Sequence, residues 1–231
     1  MFWERVEPPP PRTYLIGVDL GQARDPSAVI VAEKSDGPTG ARYGVGHVER
    51  LPLNSRYPAV VAHVRSVVAA ILAERPKPSV TLVVDRTGVG RAVGDLMTAE
   101  TVGIAPILVT ITAGDAVTRA DDGGWRVPKR ELASVIQAAL ETSRLEFAGD
   151  EPLLNALKEE LTGFRAKIKL ATGHTTFEAG DDWRSAPHDD LVLALALAMW
   201  AGEAGLATSG WDHITDANVV AFFQEAGVVP W

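Results

Sequence analysis

Four aspartates stand where a folded chain could build a cation site. Asp19 follows the apolar stretch "TYLIGV", Asp85 follows "SVTLVV", and Asp189 and Asp190 precede the apolar run from Leu191 to Trp200. Carboxylates that converge repel one another, and hard divalent cations that prefer oxygen ligands relieve the repulsion. Two such ions about 4 Å apart can activate a water molecule and stabilise the leaving oxygen of a phosphodiester. The residue types therefore favour metal-dependent phosphoryl chemistry.

Each aspartate also has a plainer interpretation. An Asp after a strand can be a turn residue, and an Asp at a helix N-terminus is a common cap that favours the helix dipole. Of the adjacent pair, we favour Asp190 as the ligand, with Asp189 as the cap or as a further ligand; the opposite assignment stays open. If Asp190 is a ligand surrounded by other acids, Asp190→Asn should cost little stability in the metal-free protein, because it removes repulsion.

The elements that must position these acids follow from hydrophobic spacing. Three strands in a β-meander are predicted from "TYLIGVD", "SAVIVAEK" and "ARYGVGHVERLPL", followed by a helix that Pro76 ends. A strand ending at Asp85, a helix from "GVGRAVGDLMTAE", the strand "IAPILVTI" and a helix opening with Pro128 come next. With a final helix at Asp189, the order is typical of an α/β protein with a mixed sheet and helices on both faces.

Bulk properties bound the organisation and the partners. The 231 residues predict a domain over 13–204, an extended Pro-rich leader over 1–12 and a tail over 205–231. There is no cysteine, and the apolar run before Trp200 is short for a membrane span, so we expect a soluble, cytoplasmic protein without membrane contact. The net charge of −8 argues against nucleic-acid binding through a globally basic surface.

Three segments together carry a resemblance. "GVDLGQARDPSAVIV", "VVDRTGVGRAVGDLM" and "HDDLVLALALAMW" resemble, in order and spacing, the nuclease domain of phage terminase large subunits, which has an RNase H-like fold; the resemblance covers Tyr14 to Ala204. It implies a metal-dependent endonuclease that cuts concatemeric viral DNA during packaging, with Mg²⁺ or Mn²⁺, two ions, as cofactor. It also implies that Asp19, Asp85 and one of Asp189 or Asp190 are the metal ligands.

A basic stretch is the candidate DNA contact. "RAKIKLATGHTTFEA" alternates polar and apolar residues about Thr172-Gly173 and predicts a hairpin. On it, Arg165, Lys167, Lys169 and His174 could follow the backbone of double-stranded DNA; a solvated hairpin face is the equally weighted alternative.

The sequence departs from the family in two places. It contains no GxxxxGK[ST], so the ATPase motor of a large subunit is expected on a separate chain, with other packaging proteins as partners, or on a part of the protein that this sequence does not include. The family's motif often continues "HDDLVDALALA", and Leu193 stands in place of the later acid. The site then has one carboxylate fewer, and whether it holds one ion or two stays open.

Other functions compete with this interpretation. An actin/hexokinase-like ATP-binding protein also has "DLG" after a first strand, a β-meander and a later glycine-rich phosphate loop, but it has no use for an aspartate pair heading a buried helix. A Holliday-junction resolvase uses a similar late acidic helix, and a non-catalytic remnant is the third alternative. Stabilisation by ATP without nuclease activity would favour the first; junction-selective cutting would favour the second.

Overall fold

The computed structural model describes residues 11–21, 26–88, 95–149, 151–172 and 189–207. Within these ranges the chain forms an eight-stranded mixed sheet. The strands, in chain order, are β1 Thr13–Asp19, β2 Ala28–Gly37, β3 Gly40–Arg50, β4 Ser79–Asp85, β5 Ile107–Thr112, β6 Thr118–Arg119, β7 Trp125–Pro128 and β8 Leu145–Phe147.

The strand order across the sheet is β6-β7-β5-β4-β1-β2-β3-β8. β1, β4, β5 and β7 run parallel to their neighbours in this series, whereas β2 is antiparallel to both β1 and β3. The short β8 pairs parallel with β3, and β6 pairs antiparallel with β7. β1 and β4 are central and parallel, so their carboxyl ends lie side by side. The end of the sheet at which they lie, called the carboxyl edge below, is where α/β proteins build their sites.

Helices cover both faces of this sheet, as predicted. They are α1 Tyr57–Leu72, α2 Ala99–Val102, α3 Lys129–Glu141, α4 Pro152–Thr172 and α5 Asp190–Glu203. α1 and α2 pack on one face, where Val64 and Val102 join Ile16 of β1 in an apolar cluster. α3, α4 and α5 pack on the other, where Leu132, Leu157 and the whole apolar length of α5 form the larger core. No helix within the described ranges has both the length and the apolar character needed to cross a bilayer.

α5 is the helix that brings the late aspartates to the sheet. Every residue from Asp190 to Gly202 is buried, as expected for a helix that is apolar on all sides. It lies directly on β1: a Cβ added to Gly17 would stand 1.8 Å from the carbonyl oxygen of Ala194. Near its other end, a Cβ on Gly202 would stand 2.8 Å from Leu15. α5 therefore runs opposite to β1, with its N-terminus over the carboxyl end of that strand.

The structure corrects one predicted element. The hairpin over "RAKIKLATGHTTFEA" is wrong in its first half, because α4 continues as a helix to Thr172; residues 173–180 lie outside the described part of the chain. Alternating polar and apolar residues are typical of a strand. Here the alternating segment instead continues the amphipathic helix that begins at Pro152.

Smaller differences concern strand number and helix ends. The sequence did not predict β6, β7 or β8, which have only two to four residues and too few positions to show a period. α1 ends at Leu72, four residues before the proline expected to end it. Pro128 occupies the N-cap position of α3 rather than its first turn. Residues 89–94 of the predicted helix over "GVGRAVGDLMTAE" lie outside the described part of the chain; residues 95–96 are helical, and α2 starts at Ala99.

Candidate active site

Two of the predicted site residues are direct neighbours in the sheet. Asp19 and Asp85 are partners in the parallel register of β1 and β4, so about 4.8 Å separates their strands. Side chains alternate between the two faces of a strand, and Leu15 and Val83 face the α5 side. Asp19 and Asp85 therefore share that face. The sequence prediction that these two acids meet at the carboxyl edge of the sheet is confirmed.

The same register continues to a cation that the sequence interpretation missed. Asp19 is opposite Ala28 on β2, and Ala28 is opposite Arg50 at the end of β3. Arg50 thus lies in one row with Asp19 and Asp85, and its contacts place its side chain on the α5 face as well. Ala28, which lies between them in the row, is fully buried in the core beneath α5.

Asp85 is held in place by its own turn. The backbone N–H of Thr87 donates to Asp85 Oδ1 at 2.7 Å, and the Thr87 hydroxyl donates to the same oxygen. The hydroxyl oxygen in turn accepts from the backbone N–H of Ile111 on β5 at 2.7 Å. Because Asp85 is 2% exposed, these bonds compensate for its burial and fix the orientation of its carboxylate. "DRT" is therefore a local orienting turn at the end of β4.

The N-terminus of α5 brings Asp190 to this row. Asp190 is one helical turn, about 6 Å, before Ala194, which contacts Gly17. Asp19 is two residues, about 6.6 Å, beyond Gly17 in the same direction. The backbone geometry therefore puts the start of α5 above the end of β1. As predicted, the third acidic position arrives at the edge that bears Asp19 and Asp85.

The Asp190 side chain, however, is engaged by a cation. Arg50 donates from Nε to Asp190 Oδ2 at 2.8 Å and from Nη2 to Oδ1 at 2.9 Å, a two-bond fork between planar groups. The Asp190 side chain is 6% exposed. Asp190, which the sequence favours as a metal ligand, is therefore not free to turn toward Asp19 and Asp85 in this state, because the guanidinium in the same row already compensates its charge.

Glu160 of α4 completes an ion triad. Arg50 Nη2 also donates to Glu160 Oε1, whose side chain is 10% exposed. The second oxygen, Oε2, is buried without a hydrogen bond of ordinary geometry from the described residues, although the backbone N–H of Val192 is near enough to the carboxyl to lower its pKa. Burial raises the pKa of the Glu160 carboxyl to about 7, helped by the charge of Asp190 and opposed by Arg50. Burial alone would lower the pKa of Arg50, but the two carboxylates together raise it.

Asp189 occupies the N-cap position, as predicted, but not in the predicted way. Its side chain makes no capping hydrogen bond to the first turn of α5. Its backbone conformation, with φ −107° and ψ 7°, differs from the extended geometry in which a cap side chain reaches back to the first amides. Asp189 is less buried than Asp190. The prediction that the Asp189 side chain caps α5 is therefore wrong, and the choice between the two acids rests on their burial and contacts.

The donor set fits a divalent cation in part. Asp19 and Asp85 offer two oxygen ligands from adjacent strands, the chemistry that Mg²⁺ and Mn²⁺ prefer. Across the described part of the chain, no three acidic or imidazole side chains stand close enough to hold one ion. The third carboxylate, Asp190, is present at the same edge but turned to Arg50. A three-carboxylate site therefore requires Asp190 to leave its guanidinium partner.

The predicted DNA contacts are only partly within the described residues. Arg165, Lys167 and Lys169 belong to α4, and His174 lies outside the described ranges. In a strand, residues 165, 167 and 169 would all lie on one face because side chains alternate every two residues; this spacing does not place them on one face of a helix. Their role remains a prediction.

Arg50, Glu160 and Thr87 are the site residues that the sequence interpretation missed. "DRT" carried a detectable signal, since a Thr two residues after an Asp is a common partner in side chain-to-backbone turns. No local sequence signal identifies Arg50 and Glu160, because the contact between them depends on the register of β3 and on the placement of α4.

Comparisons with known proteins agree with this architecture. The chain matches no protein-family model, and no curated protein matches it. Among solved structures, it overlaps the human cytomegalovirus terminase nuclease domain at 12% identity, covering 83% of each chain with a TM-score of 0.52, and its Mn-soaked form at 12% identity, covering 85% of this chain and 87% of that one, with a TM-score of 0.50.

Two looser likenesses have lower TM-scores. The large terminase nuclease of the thermophilic phage G20c gives 0.43 at 20% identity, covering 81% of each chain. Thermus thermophilus RuvC gives 0.38 at 15% identity, covering 84% of this chain and 98% of that one. At these scores neither decides between terminase and resolvase. The cytomegalovirus overlap, together with the mixed sheet, shows that the chain shares the fold of that terminase nuclease domain.

Proposed function

We propose that this protein is a divalent-metal-dependent endonuclease of the terminase type, which cuts concatemeric viral DNA during genome packaging. The observation that carries the proposal is the pairing of Asp19 with Asp85 on adjacent parallel strands, beneath the N-terminus of α5 that bears Asp190. That this fold is shared with a terminase nuclease domain that has been soaked with Mn supports it.

The roles of the chain's own residues follow from their placement. Asp19 and Asp85 would hold a divalent cation, and Thr87 would keep the Asp85 carboxylate oriented toward it. Asp190 would be the third ligand and Asp189 a further, weaker one. When bound, Mg²⁺ or Mn²⁺ supplies an activated water and charge stabilisation at the phosphodiester. The buried α5 holds the third ligand at a fixed height above the sheet.

The partners are part of the same proposal. Double-stranded DNA is the substrate, and Arg165, Lys167, Lys169 and His174 would contact its backbone. A motor ATPase and other packaging proteins would act beside the nuclease. The net charge of −8 is consistent with a substrate grip that depends on bound cations and on partners.

A plasmid-nicking assay with Mn²⁺ tests the activity. Wild-type protein should convert supercoiled DNA, and Asp19→Asn and Asp85→Asn should each lose most of that activity. Asp36→Asn is the matched control, since Asp36 is exposed at the end of β2 that lies away from Asp19. This variant should cleave DNA as the wild type does. Equal residual cleavage in wild type, Asp19→Asn and Asp85→Asn would show a contaminating nuclease and refute the proposal.

A further inference from the structure

Asp190 and Glu160 compete for one guanidinium. Arg50 donates two bonds to Asp190, at 2.8 and 2.9 Å, and a further bond to Glu160 Oε1. The Arg50 side chain is only 22% exposed, so solvent can do little to replace either partner. When Glu160 is ionised, above its raised pKa of about 7, the three groups carry two negative charges and one positive charge. Arg50 is therefore the only cation that these two buried carboxylates share among the described residues.

The free oxygen of Glu160 gives Arg50 a second place to bind. Glu160 Oε2 is buried without a hydrogen-bond partner in the described structure, while Oε1 already contacts the Arg50 guanidinium. A small rotation of the guanidinium would give Glu160 the same two-bond fork that Asp190 now receives. That move would satisfy the unpaired oxygen and release both oxygens of Asp190 in one step.

A divalent ion beside Asp19 and Asp85 would favour that move. Arg50, Asp19 and Asp85 stand in one register row, so an ion held by the two aspartates and the Arg50 cation compete for the same carboxylate. Two cations on one carboxylate repel each other, and the ion carries the larger charge. Arg50 would then leave Asp190 and keep its other acidic partner.

On the basis of the proposed nuclease function, we propose that Arg50 is the resident counter-ion of Asp190, which a divalent cation must displace, and that Glu160 receives the displaced guanidinium. Arg50 and Glu160 are positioning residues in this scheme, since neither is a metal ligand. Arg50 holds Asp190 and the start of α5 in place before the metal arrives, and it lowers the affinity of the site for metal.

Mn²⁺ binding to the full chain without DNA tests the exchange. Free Mn²⁺ is counted by electron paramagnetic resonance at one pH and one salt concentration, with folding of each variant checked by circular dichroism. Arg50→Gln should bind Mn²⁺ about tenfold more tightly than wild type, which is about 1.4 kcal/mol. Arg144→Gln is the matched control, because Arg144 is also a largely buried arginine and pairs with Glu203 at the far end of α5; the Mn²⁺ affinity of this variant should equal that of wild type.

The second arm is a double-mutant cycle. Glu160→Gln should weaken Mn²⁺ binding in the wild-type background, because the displaced Arg50 loses its acceptor. In the Arg50→Gln background the same change should alter affinity by about twofold at most, since there is no guanidinium left to receive. If Arg50→Gln does not fold, Arg50→Lys replaces it; a single ammonium cannot form the fork, so binding should again tighten.

The outcomes separate this proposal from the nuclease proposal. Unchanged or weaker Mn²⁺ binding by Arg50→Gln overturns the counter-ion role while cleavage by the wild type leaves the nuclease intact. An equal loss from Glu160→Gln in both backgrounds makes Glu160 a ligand and overturns its role as acceptor. No Mn²⁺ binding by any variant, with no metal-dependent cleavage by wild type, overturns both proposals.

Discussion

Asp190→Asn should destabilise the metal-free protein. The sequence alone predicts little loss of stability, because replacing one of several neighbouring carboxylates removes charge repulsion. In the structure, however, Asp190 pairs with Arg50 through hydrogen bonds of 2.8 and 2.9 Å. An asparagine can accept from the guanidinium with its carbonyl oxygen only, and its NH₂ group then faces a second donor. Asp190 is 7% exposed, so water cannot replace the missing acceptor.

The size of the loss follows from these contacts. Hydrogen bonds to charged groups contribute about 1.5–3 kcal/mol each when removed singly. Glu160 still compensates the charge of Arg50 after the substitution, so a net loss of about 2 kcal/mol is expected. For a chain of this length that corresponds to a fall in Tm of about 4–8 °C. Thermal unfolding followed by circular dichroism in EDTA measures it.

Asp189→Asn is the control from the neighbouring position. Asp189 is less buried than Asp190, and asparagine has nearly the same size and can also accept a hydrogen bond, so the free energy of unfolding of this variant should differ from that of wild type by less than about 1 kcal/mol. If Asp190→Asn has the same Tm as the wild type, the two-bond contact with Arg50 does not exist in solution and the reasoning is wrong. In the nicking assay Asp190→Asn should abolish cleavage and Asp189→Asn should retain it. Exchanged phenotypes would reverse the assignment, and two active variants would argue against the nuclease itself.

Three further predictions test the placement of the site. Gly17→Ala should lower the free energy of unfolding by about 1–3 kcal/mol and reduce cleavage, since its Cβ would meet the Ala194 carbonyl and lift α5; unchanged melting would contradict the close packing. Thr87→Val should weaken Mn²⁺ binding because Asp85 loses an orienting donor, whereas Thr87→Ser, which keeps the hydroxyl, should bind Mn²⁺ as the wild type does. If both variants bind Mn²⁺ with equal affinity, the Thr87 hydroxyl has only a structural role. Charge neutralisation in α4 should flatten the salt dependence of DNA binding by about one unit of slope for each phosphate that the protein no longer neutralises, measured by fluorescence anisotropy, and an unchanged slope would assign a structural role to the neutralised residues Arg165, Lys167 and Lys169.

The acids at strand ends were predictable because their signals are local. A buried strand that stops at an aspartate can be recognised within seven residues, and both β1 and β4 end at the predicted residue. The general rule for α/β sheets places sites at the carboxyl ends of strands, but that β1 and β4 are neighbours is known only from the strand order of the structure. The apolar character of α5 on all sides likewise predicted a buried helix without any knowledge of its partners.

The contacts of Asp190 were not predictable for a corresponding reason. Arg50 and Asp190 are 140 residues apart in the chain, and Glu160 joins them from a third element. One-residue changes in the register of β3 would turn Arg50 to the other face of the sheet. In the same way, "RAKIKLAT" alternates like a strand yet continues α4, because the helix already begun at Pro152 determines the conformation of the residues that follow it.

An aspartate at the head of a fully buried helix would be costly in a protein that had to fold before it met its metal. Arg50 removes most of that cost, because it comes from the same edge of the sheet and neutralises Asp190 as α5 docks on β1. In the proposed scheme, metal binding would exchange one cation for another at Asp190, so that this carboxylate would always have a cationic partner. If Asp190 is a ligand, the Arg50 ion pair would let the chain fold without the ion and would weaken its affinity for the metal.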